Sequence, residues 1–334
     1  MQTRFSQFTL KGDWQVADRF RLIGQVGHAR SNFDNPIQTT ITLDRLNSDG
    51  YSWDFRDDDR LPGFGYGFDV ESAANWNFAN GQSEIRLRPN TSDNLYVSRT
   101  LDGIWDFSDS VQLKGGLQSR NYKFSPTEFR RTSEVLVPNL PAGTSLASLT
   151  RLANFGGVLS APPGTPTSWL IPDVGAFADL FNIYGNQGLF VLSPSASGAL
   201  GNNRAVTEQT AGGYLQLAWQ SELFGLPLRG DAGVRYVETD QDSTGIAVVN
   251  GRAVSSTVSR TYDDTLPSLN LALDLRDDLV LRFGAAKVIA RPALGNLTPG
   301  VTVSVSGGNR VVTGGDPGLD PNGATTADLG LEWY

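Results

Sequence analysis

The segment 267–276 alternates between apolar and polar residues. The leucines at 269, 271, 273 and 275 fall on one face of an extended chain, and Ser268, Asn270 and Asp274 fall on the other. This period of two predicts a half-buried β-strand. A second such run, residues 277–287, follows at once, and the two together predict a hairpin. Its apolar face requires either the core of a soluble sheet or, in an outer-membrane barrel, lipid.

Composition narrows the class of protein. The chain has 334 residues and a mean hydropathy of -0.23. It contains no run of about 18 apolar residues, which excludes a helical membrane protein. A β-barrel is not excluded, because its strands are apolar on one face only. The absence of cysteine excludes a disulfide framework and thiolate metal sites. The net charge of -8 argues against a nucleic-acid partner, because an acidic chain repels phosphate.

The connections between the predicted strands alternate in length. Tight turns are expected at 16–18, 108–110, 222–227 and 276–278, and long excursions at 31–62, 125–204, 241–260 and 291–323. Transmembrane barrels have short periplasmic turns and long extracellular loops. A soluble β-sandwich or propeller has no reason to place its long loops at one end. The pattern therefore favours an all-β fold, an antiparallel transmembrane β-barrel with roughly ten strands in this chain.

The longest excursion, residues 125–204, is rich in Pro, Gly, Ser and Ala. Compact domains rarely contain structureless loops of this length. We interpret it as a long extracellular loop that forms a functional lid or a small subdomain, with a short helix around 174–184.

Aromatic residues lie near the strand ends that carry the short turns. In an outer-membrane barrel these positions form a girdle at the membrane interface. In any β protein they can also reflect the general preference of aromatic residues for strand ends. The residues concerned are Trp14, Trp105, Phe107, Trp219 and Phe224.

Several blocks of the chain resemble the barrel region of TonB-dependent outer-membrane receptors. In chain order they are Glu208–Leu217, Leu223–Thr239, Leu266–Leu271, Leu281–Pro292, Gly315–Pro321 and Asp328–Tyr334. Their order and spacing match those of the family as well as their sequences do. The resemblance is specific over residues 206–334 and general over residues 1–205.

The resemblance implies part of a 22-stranded barrel with a plugged lumen, located in the bacterial outer membrane. Such a receptor imports a scarce nutrient, for example a glycan or a siderophore, with energy relayed by the TonB-ExbB-ExbD complex through the plug. Residues 1–334 then belong to one barrel domain in contact with outer-membrane lipid. The plug domain and the TonB box are absent from the sequence. Because Met1 opens a predicted strand, we expect the chain to be a fragment.

Two other functions stay open. An envelope β-barrel that binds or adheres without active transport fits the same strand pattern. An enzyme of the outer-membrane phospholipase type would need a catalytic histidine, and the only histidine is His28. It lies in a predicted strand with Leu22 and Val26 on its face, where a lone histidine is more often structural. We therefore expect no catalytic residue and no cofactor, and we expect that the chain is not an enzyme.

Two further motifs have simple structural interpretations. The run Asp57–Asp59 offers oxygen ligands of the kind that Ca²⁺ prefers, but it is more typical of a solvated loop, and no metal site is predicted. The glycine-rich Gly63–Gly67 lacks the Lys-Ser/Thr of a phosphate loop. Its glycines are expected to mark a bend or a bulge in a strand.

Substrate recognition is expected in the long loops, where aromatic rings can serve as platforms. The candidates are Tyr51 and Trp53 in the first loop, and Trp169 and Tyr184 in the second. A sugar ring stacks on such faces, whereas an iron chelate more often needs cationic partners such as arginine. Charged residues on the lumen side are expected to pair with one another or with the plug. They are Arg229, Asp231, Arg235 and Arg282.

Overall fold

The computed structural model describes residues 1–56, 60–156, 161–249, 252–306 and 309–334. In these ranges the chain forms nineteen strands and one α-helix, α1 (Val174–Phe181). The strands are β1 (Gln2–Ala17), β2 (Phe20–Asn35), β3 (Thr39–Thr42), β4 (Tyr51–Asp54), β5 (Gly63–Tyr66), β6 (Glu84–Leu87), β7 (Asn90–Ser108), β8 (Val111–Glu128), β9 (Arg130–Arg131), β10 (Thr150–Asn154), β11 (Ser168–Pro172), β12 (Leu192–Ser193), β13 (Ala205–Leu223), β14 (Leu226–Val249), β15 (Arg252–Arg276), β16 (Leu279–Ala290), β17 (Val301–Ser306), β18 (Asn309–Gly314) and β19 (Asn322–Trp333).

The chain divides into two compact units. The first contains residues 1–34, 91–127 and 200–334, and the second contains residues 35–90 and 128–199. The second unit is therefore built from two connections, one between β2 and β7 and one between β8 and β13. In the described residues no helix is long and apolar enough to cross a membrane.

The first unit is organised by a nine-stranded sheet in the order β1-β2-β7-β8-β13-β14-β15-β16-β19. The strands follow one another in chain order, and the pairs with a described register are antiparallel. The tight connections at 18–19, 109–110, 224–225 and 277–278 fall at one end of the sheet, and the long connections fall at the other. β1 and β19 form the two edges. The expected partial barrel, with turns that are short on one side, is confirmed.

The register separates apolar from polar residues across several strands. One row of paired positions on the apolar face is Val111, Trp219, Gly230, Leu271, Phe283 and Leu329. The neighbouring row, one residue along each strand and on the opposite face, is Gln112, Ala218, Asp231, Asn270, Gly284 and Asp328. Leu329 is 73% exposed on the apolar face. Such a face needs an apolar surrounding, which a bilayer supplies in a barrel.

The short-turn end carries the predicted aromatic residues. Trp219 lies on the apolar face, and so does Trp14, which pairs with Leu22. Trp333, which the sequence did not indicate, joins this face opposite Leu279. Phe224 lies instead in the β13–β14 turn, where its φ of 54° places it in the left-handed region. The placement of the tryptophans is the one that an interfacial girdle requires.

Some predicted boundaries are wrong. Residues 241–260 do not form a loop, because β14 and β15 continue as one hairpin to Val249 and Arg252. Polar side chains join the two strands there: the Ser259 hydroxyl donates to Asp242 Oδ1 over 2.5 Å. Apolar and polar residues do not alternate regularly in this extension, so the period of two that predicts a strand is missing. The weaker segments near 64–73 and 83–88 contain β5 and β6, which pair with β4 and β3 and not with the large sheet.

The second unit has its own hydrophobic core. Helix α1 begins after Asp173, whose carboxylate accepts a hydrogen bond from Ala176 N over 3.1 Å, as an N-cap residue does. The helix predicted around 174–184 is thus confirmed. Buried residues from both chain segments form the core: Ile41, Ile85, Leu87, Val137, Leu149, Phe177, Ile183 and Phe190.

Arg131 is the largest side chain that is fully buried in the second unit, with 2% of its surface exposed. Its guanidinium donates to the carbonyl oxygens of Ile85, Leu136 and Leu189. Its Cζ lies 4.7 Å from the centre of the Phe190 ring. Burial lowers the pKa of this group, and the three carbonyls satisfy its donors. Arg131 therefore links residues 35–90 to residues 128–199.

We predict that Gly230→Ala destabilises the large sheet. A Cβ at this position would lie 2.8 Å from both Leu271 Cδ2 and Trp219 Cζ2, and 2.9 Å from the Asn270 carbonyl oxygen. Overpacking of this kind costs about 1–3 kcal/mol. Urea unfolding of the full-length protein in detergent measures the loss. Gly24→Ala is the control, because its Cβ would meet only Leu101 Cδ1 at 4.0 Å. Equal effects of the two substitutions would contradict this packing.

We predict that Arg131→Met opens the second unit. The substitution keeps an apolar stem but leaves three carbonyls without a donor, at a cost of roughly 3 kcal/mol or more. Protease cleavage within residues 35–90 and 128–199 should become about a hundred times faster, because cleavage follows the population of the opened state. The control is Arg151→Met, at an exposed position of β10. A cleavage rate equal to that of the control would show that Arg131 does not hold the unit together.

Candidate functional site

The β4–β5 hairpin brings four aromatic rings to one side of the second unit. Tyr51 is paired with Tyr66, and Trp53 is paired with Phe64. The ring centres lie 5.7 Å apart in the first pair and 6.2 Å apart in the second. Such distances are typical of favourable aromatic contacts. Two of the four rings, those of Tyr51 and Trp53, were predicted as binding candidates.

Glycines allow the two ends of this hairpin to approach. Gly50 and Gly67 have φ values of 80° and 69°, which side chains rarely adopt. A Cβ on Gly67 would lie 1.9 Å from the carbonyl oxygen of Asp49. The predicted bend in the Gly63–Gly67 run is therefore located at its last glycine, and residues 63–66 are a regular strand.

Strand β11 adds Trp169 to the same cluster. Its ring centre lies 6.1 Å from that of Tyr66 and 5.9 Å from that of Phe155. The backbone beside it is fixed, because Leu170 N donates to the Val70 carbonyl over 3.1 Å. We call the cluster the aromatic platform. Its members are Tyr51, Trp53, Phe64, Tyr66, Phe155 and Trp169.

The platform offers ring surface to a ligand. Trp53 is 63% exposed, Tyr51 55% and Phe155 37%. Tyr66, Phe64 and Trp169 are half-buried beneath them. Covering exposed rings with an apolar or ring-shaped ligand is favourable, since aromatic side chains bury large areas with little loss of conformational freedom.

Charged groups beside the platform already have partners. The Arg45 guanidinium lies over the Phe68 ring at 4.4 Å and donates to the Asn75 carbonyl over 3.0 Å. Arg56 Nε donates to Asp54 Oδ1 over 2.8 Å. This hydrogen bond, with a second from the Arg56 backbone, lowers the pKa of Asp54 to about 2. Arg56 is therefore paired with a carboxylate, and the Arg45 guanidinium is engaged by a ring and a carbonyl oxygen. The predicted loop Asp57–Asp59 lies outside the described residues.

Tyr184 lies apart from the platform. Its hydroxyl is 2.9 Å from Thr39 Oγ1. In the described part of the chain it makes no ring contact with a platform residue. The structure thus brings three of the four predicted residues together and leaves the fourth elsewhere in the same unit.

Sequence reasoning missed Phe64, Tyr66 and Phe155. The signal for the first two was present, since Phe64 and Tyr66 alternate with glycines in the Gly63–Gly67 run. An alternating aromatic pair close to Tyr51 and Trp53 is typical of a two-stranded hairpin. The position of Phe155 depends on the β10–β11 pairing, which has no comparable local signal.

On the polar face of the large sheet, side-chain hydrogen bonds join different strands. Asp231 accepts from Gln216 over 2.9 Å and from Asn270 over 3.1 Å. Tyr214 donates to Asp102 over 2.9 Å. These bonds join β7, β13, β14 and β15 across the face that the barrel interpretation assigns to the lumen.

The charged residues predicted to pair with one another have other partners in this unit. Arg229 Nη2 lies 3.1 Å from Asp274 Oδ1, and Arg282 Nε lies 2.7 Å from Glu332 Oε2. Arg235 lies over the Tyr214 ring at 5.7 Å. Mutual pairing is therefore wrong for these arginines, because each contacts a residue of a neighbouring strand, and pairing with the plug stays a prediction. His28 lies opposite Phe8 in the β1–β2 ladder.

Comparison with known protein families gives a match over most of the chain. A family model described as "TonB dependent receptor-like, beta-barrel" matches residues 30–334. A search of curated proteins finds no match.

Solved structures are similar to the chain at low sequence identity. The ferric-catecholate import receptor Fiu from K12 E. coli is 10% identical, with a TM-score of 0.44 and coverage of 99% of this chain and 38% of its own. The RagAB peptide importer is 10% identical, with a TM-score of 0.43 and coverage of 98% of this chain and 38% of its own. The siderophore receptor PiuA from Acinetobacter baumannii is 9% identical, with a TM-score of 0.33 and coverage of 98% of this chain and 45% of its own. The chain thus spans less than half the length of each of these proteins.

Proposed function

Because the chain belongs to the TonB-dependent receptor β-barrel family, we propose that it is part of an outer-membrane receptor that imports a scarce small molecule. Barrels of this family lie in the outer membrane of Gram-negative bacteria and serve transport rather than catalysis. In this proposal the large sheet is part of the barrel wall. In the complete receptor, the TonB-ExbB-ExbD complex supplies energy through a plug domain.

The second unit is the proposed ligand-capturing element. Its two segments are the long connections between β2 and β7 and between β8 and β13. In a transmembrane barrel the long connections lie on the extracellular side. We therefore assign residues 125–204, together with residues 35–90, to an extracellular lid.

The aromatic platform supports the proposed class of substrate. Tyr51, Trp53 and Phe155 expose ring faces, and Arg45 and Arg56 are engaged within the protein. A neutral ring with an apolar face, such as a sugar ring of a glycan, stacks on such a surface. An anionic iron chelate would instead need free cationic groups. We propose a glycan rather than a siderophore.

We predict that Trp53→Ala in the full-length receptor weakens glycan binding by roughly 10- to 100-fold. Removing an indole that stacks on the ligand lowers the binding free energy from apolar burial by about 1.5–3 kcal/mol. The measurement is uptake of labelled oligosaccharides by a receptor-deletion strain that carries the wild-type or variant gene. A panel of oligosaccharides, ferric chelates and vitamins identifies the substrate. Uptake should disappear when TonB is deleted.

The control substitution is Leu189→Ala, an exposed apolar side chain of the same unit outside the platform. It should leave uptake unchanged. Uptake that persists without TonB would overturn active transport and favour a binding or adhesion role. Normal uptake by Trp53→Ala would remove the platform from the proposal and leave transport standing. A ferric chelate as the only imported compound would refute the glycan assignment.

A further inference from the structure

Arg204, immediately before β13 in the first unit, has a shielded guanidinium without a counter-charge. Its Nε is buried and has no hydrogen-bond acceptor. Burial lowers the pKa of this arginine, and no neighbouring carboxylate offsets the effect. The Phe124 ring, 6.0 Å from Cζ, is its one aromatic neighbour in the described residues. Leaving a cation in this state is costly unless a partner arrives.

Other shielded arginines of the chain are offset within the protein. Arg291 Nε lies 3.5 Å from Glu208 Oε1. Arg88 Nε donates to Glu134 Oε1 over 2.7 Å. Arg131 reaches three carbonyl oxygens. Arg204 differs from them in lacking such a group, so the fold alone does not account for its charge.

Arg204 borders a cavity of about 380 Å³. The side chains of Asn202, Asn296 and Thr313 line it, and much of the remaining wall is glycine backbone, including Gly295. A Cβ on Gly295 would lie 3.7 Å from Arg204 Nη2, so the missing side chain leaves the guanidinium open to the cavity. The volume lies in the range of small-molecule sites, at roughly 300–1,000 Å³.

The residues that line the cavity favour a negatively charged ligand. Among the described residues, no carboxylate lines the cavity. The nearby Asp316 carboxylate accepts from Gly318 N over 2.7 Å and is thus held in its own turn. A guanidinium can donate two parallel hydrogen bonds to the two oxygens of a carboxylate. Amide and hydroxyl side chains match the hydroxyl groups of a sugar.

We propose that this cavity is a binding site for a small hydroxylated carboxylate, such as a sugar acid, whose carboxylate pairs with Arg204. The site uses only residues of the first unit. It is therefore independent of the aromatic platform and of the proposed transport, and it can exist whether or not either is correct.

The test is calorimetric titration of the purified full-length receptor with glucuronate, glucose and inorganic phosphate. Glucuronate should bind, and glucose should bind at least about tenfold more weakly, because it lacks the charged partner of the arginine. Arg204→Gln should weaken glucuronate binding by roughly 10- to 100-fold. Arg204→Lys keeps the charge but loses the two-pronged contact, so its affinity should be intermediate.

Two further variants test the site without changing Arg204 itself. Gly295→Val retains the guanidinium but places a branched side chain against Arg204 Nη2, so it should also weaken glucuronate binding even if Arg204→Gln fails to fold. Arg19→Gln, at an exposed arginine paired with Asp109 near a short turn, should bind as the wild type does. Equal binding of glucose and glucuronate, or wild-type affinity in Gly295→Val, would overturn the proposal. Binding of phosphate in preference to glucuronate would also overturn it.

Discussion

The structure depends on the register of the large antiparallel sheet. Side chains alternate between the two faces of a strand, so a shift of one residue in any pairing would exchange the apolar and polar faces. The ladder from Val111 to Leu329 keeps apolar residues in one row across six strands. The row beside it carries Asp231 and Asn270, which are hydrogen-bonded to each other. One face is thereby suited to lipid and the other to a polar lumen.

In the second unit, the constraint is the conformational entropy of two long connections. Two long connections would lose much conformational entropy if each were ordered alone. Instead they share a core around Phe177 and Ile85, and Arg131 of one segment is bonded to a carbonyl of the other. This order supports the rigid presentation of Tyr51, Trp53 and Trp169. A flexible loop carrying the same rings would have to be ordered when the ligand binds.

Sequence reasoning succeeded where one face of a strand is apolar. The Leu269–Leu275 alternation and the tight turns predicted the β13–β16 hairpins, because positions on the apolar face repeat every second residue. It failed at 241–260, since these strands lack a regular alternation of apolar and polar residues. It named Trp53 and Trp169 from residue type and loop location. It missed the contact between Tyr66 and Trp169, because these residues lie in distant segments of the chain. The unpaired state of Arg204 likewise depends on tertiary burial and has no local signal.

The central claim is that the leucine face of β15 contacts lipid. This chain has no cysteine, and any cysteine elsewhere in the full-length receptor is first replaced by serine. Single cysteines at 268, 269, 270, 271 and 273 then each carry a spin label in the receptor in bilayers. Electron paramagnetic resonance then measures collisions with oxygen, which concentrates in lipid, and with a water-soluble nickel chelate. The account predicts high oxygen accessibility at 269, 271 and 273 and low values at 268 and 270. Equal oxygen accessibility on the two faces, or greater access of the nickel chelate at the leucine positions, would contradict it.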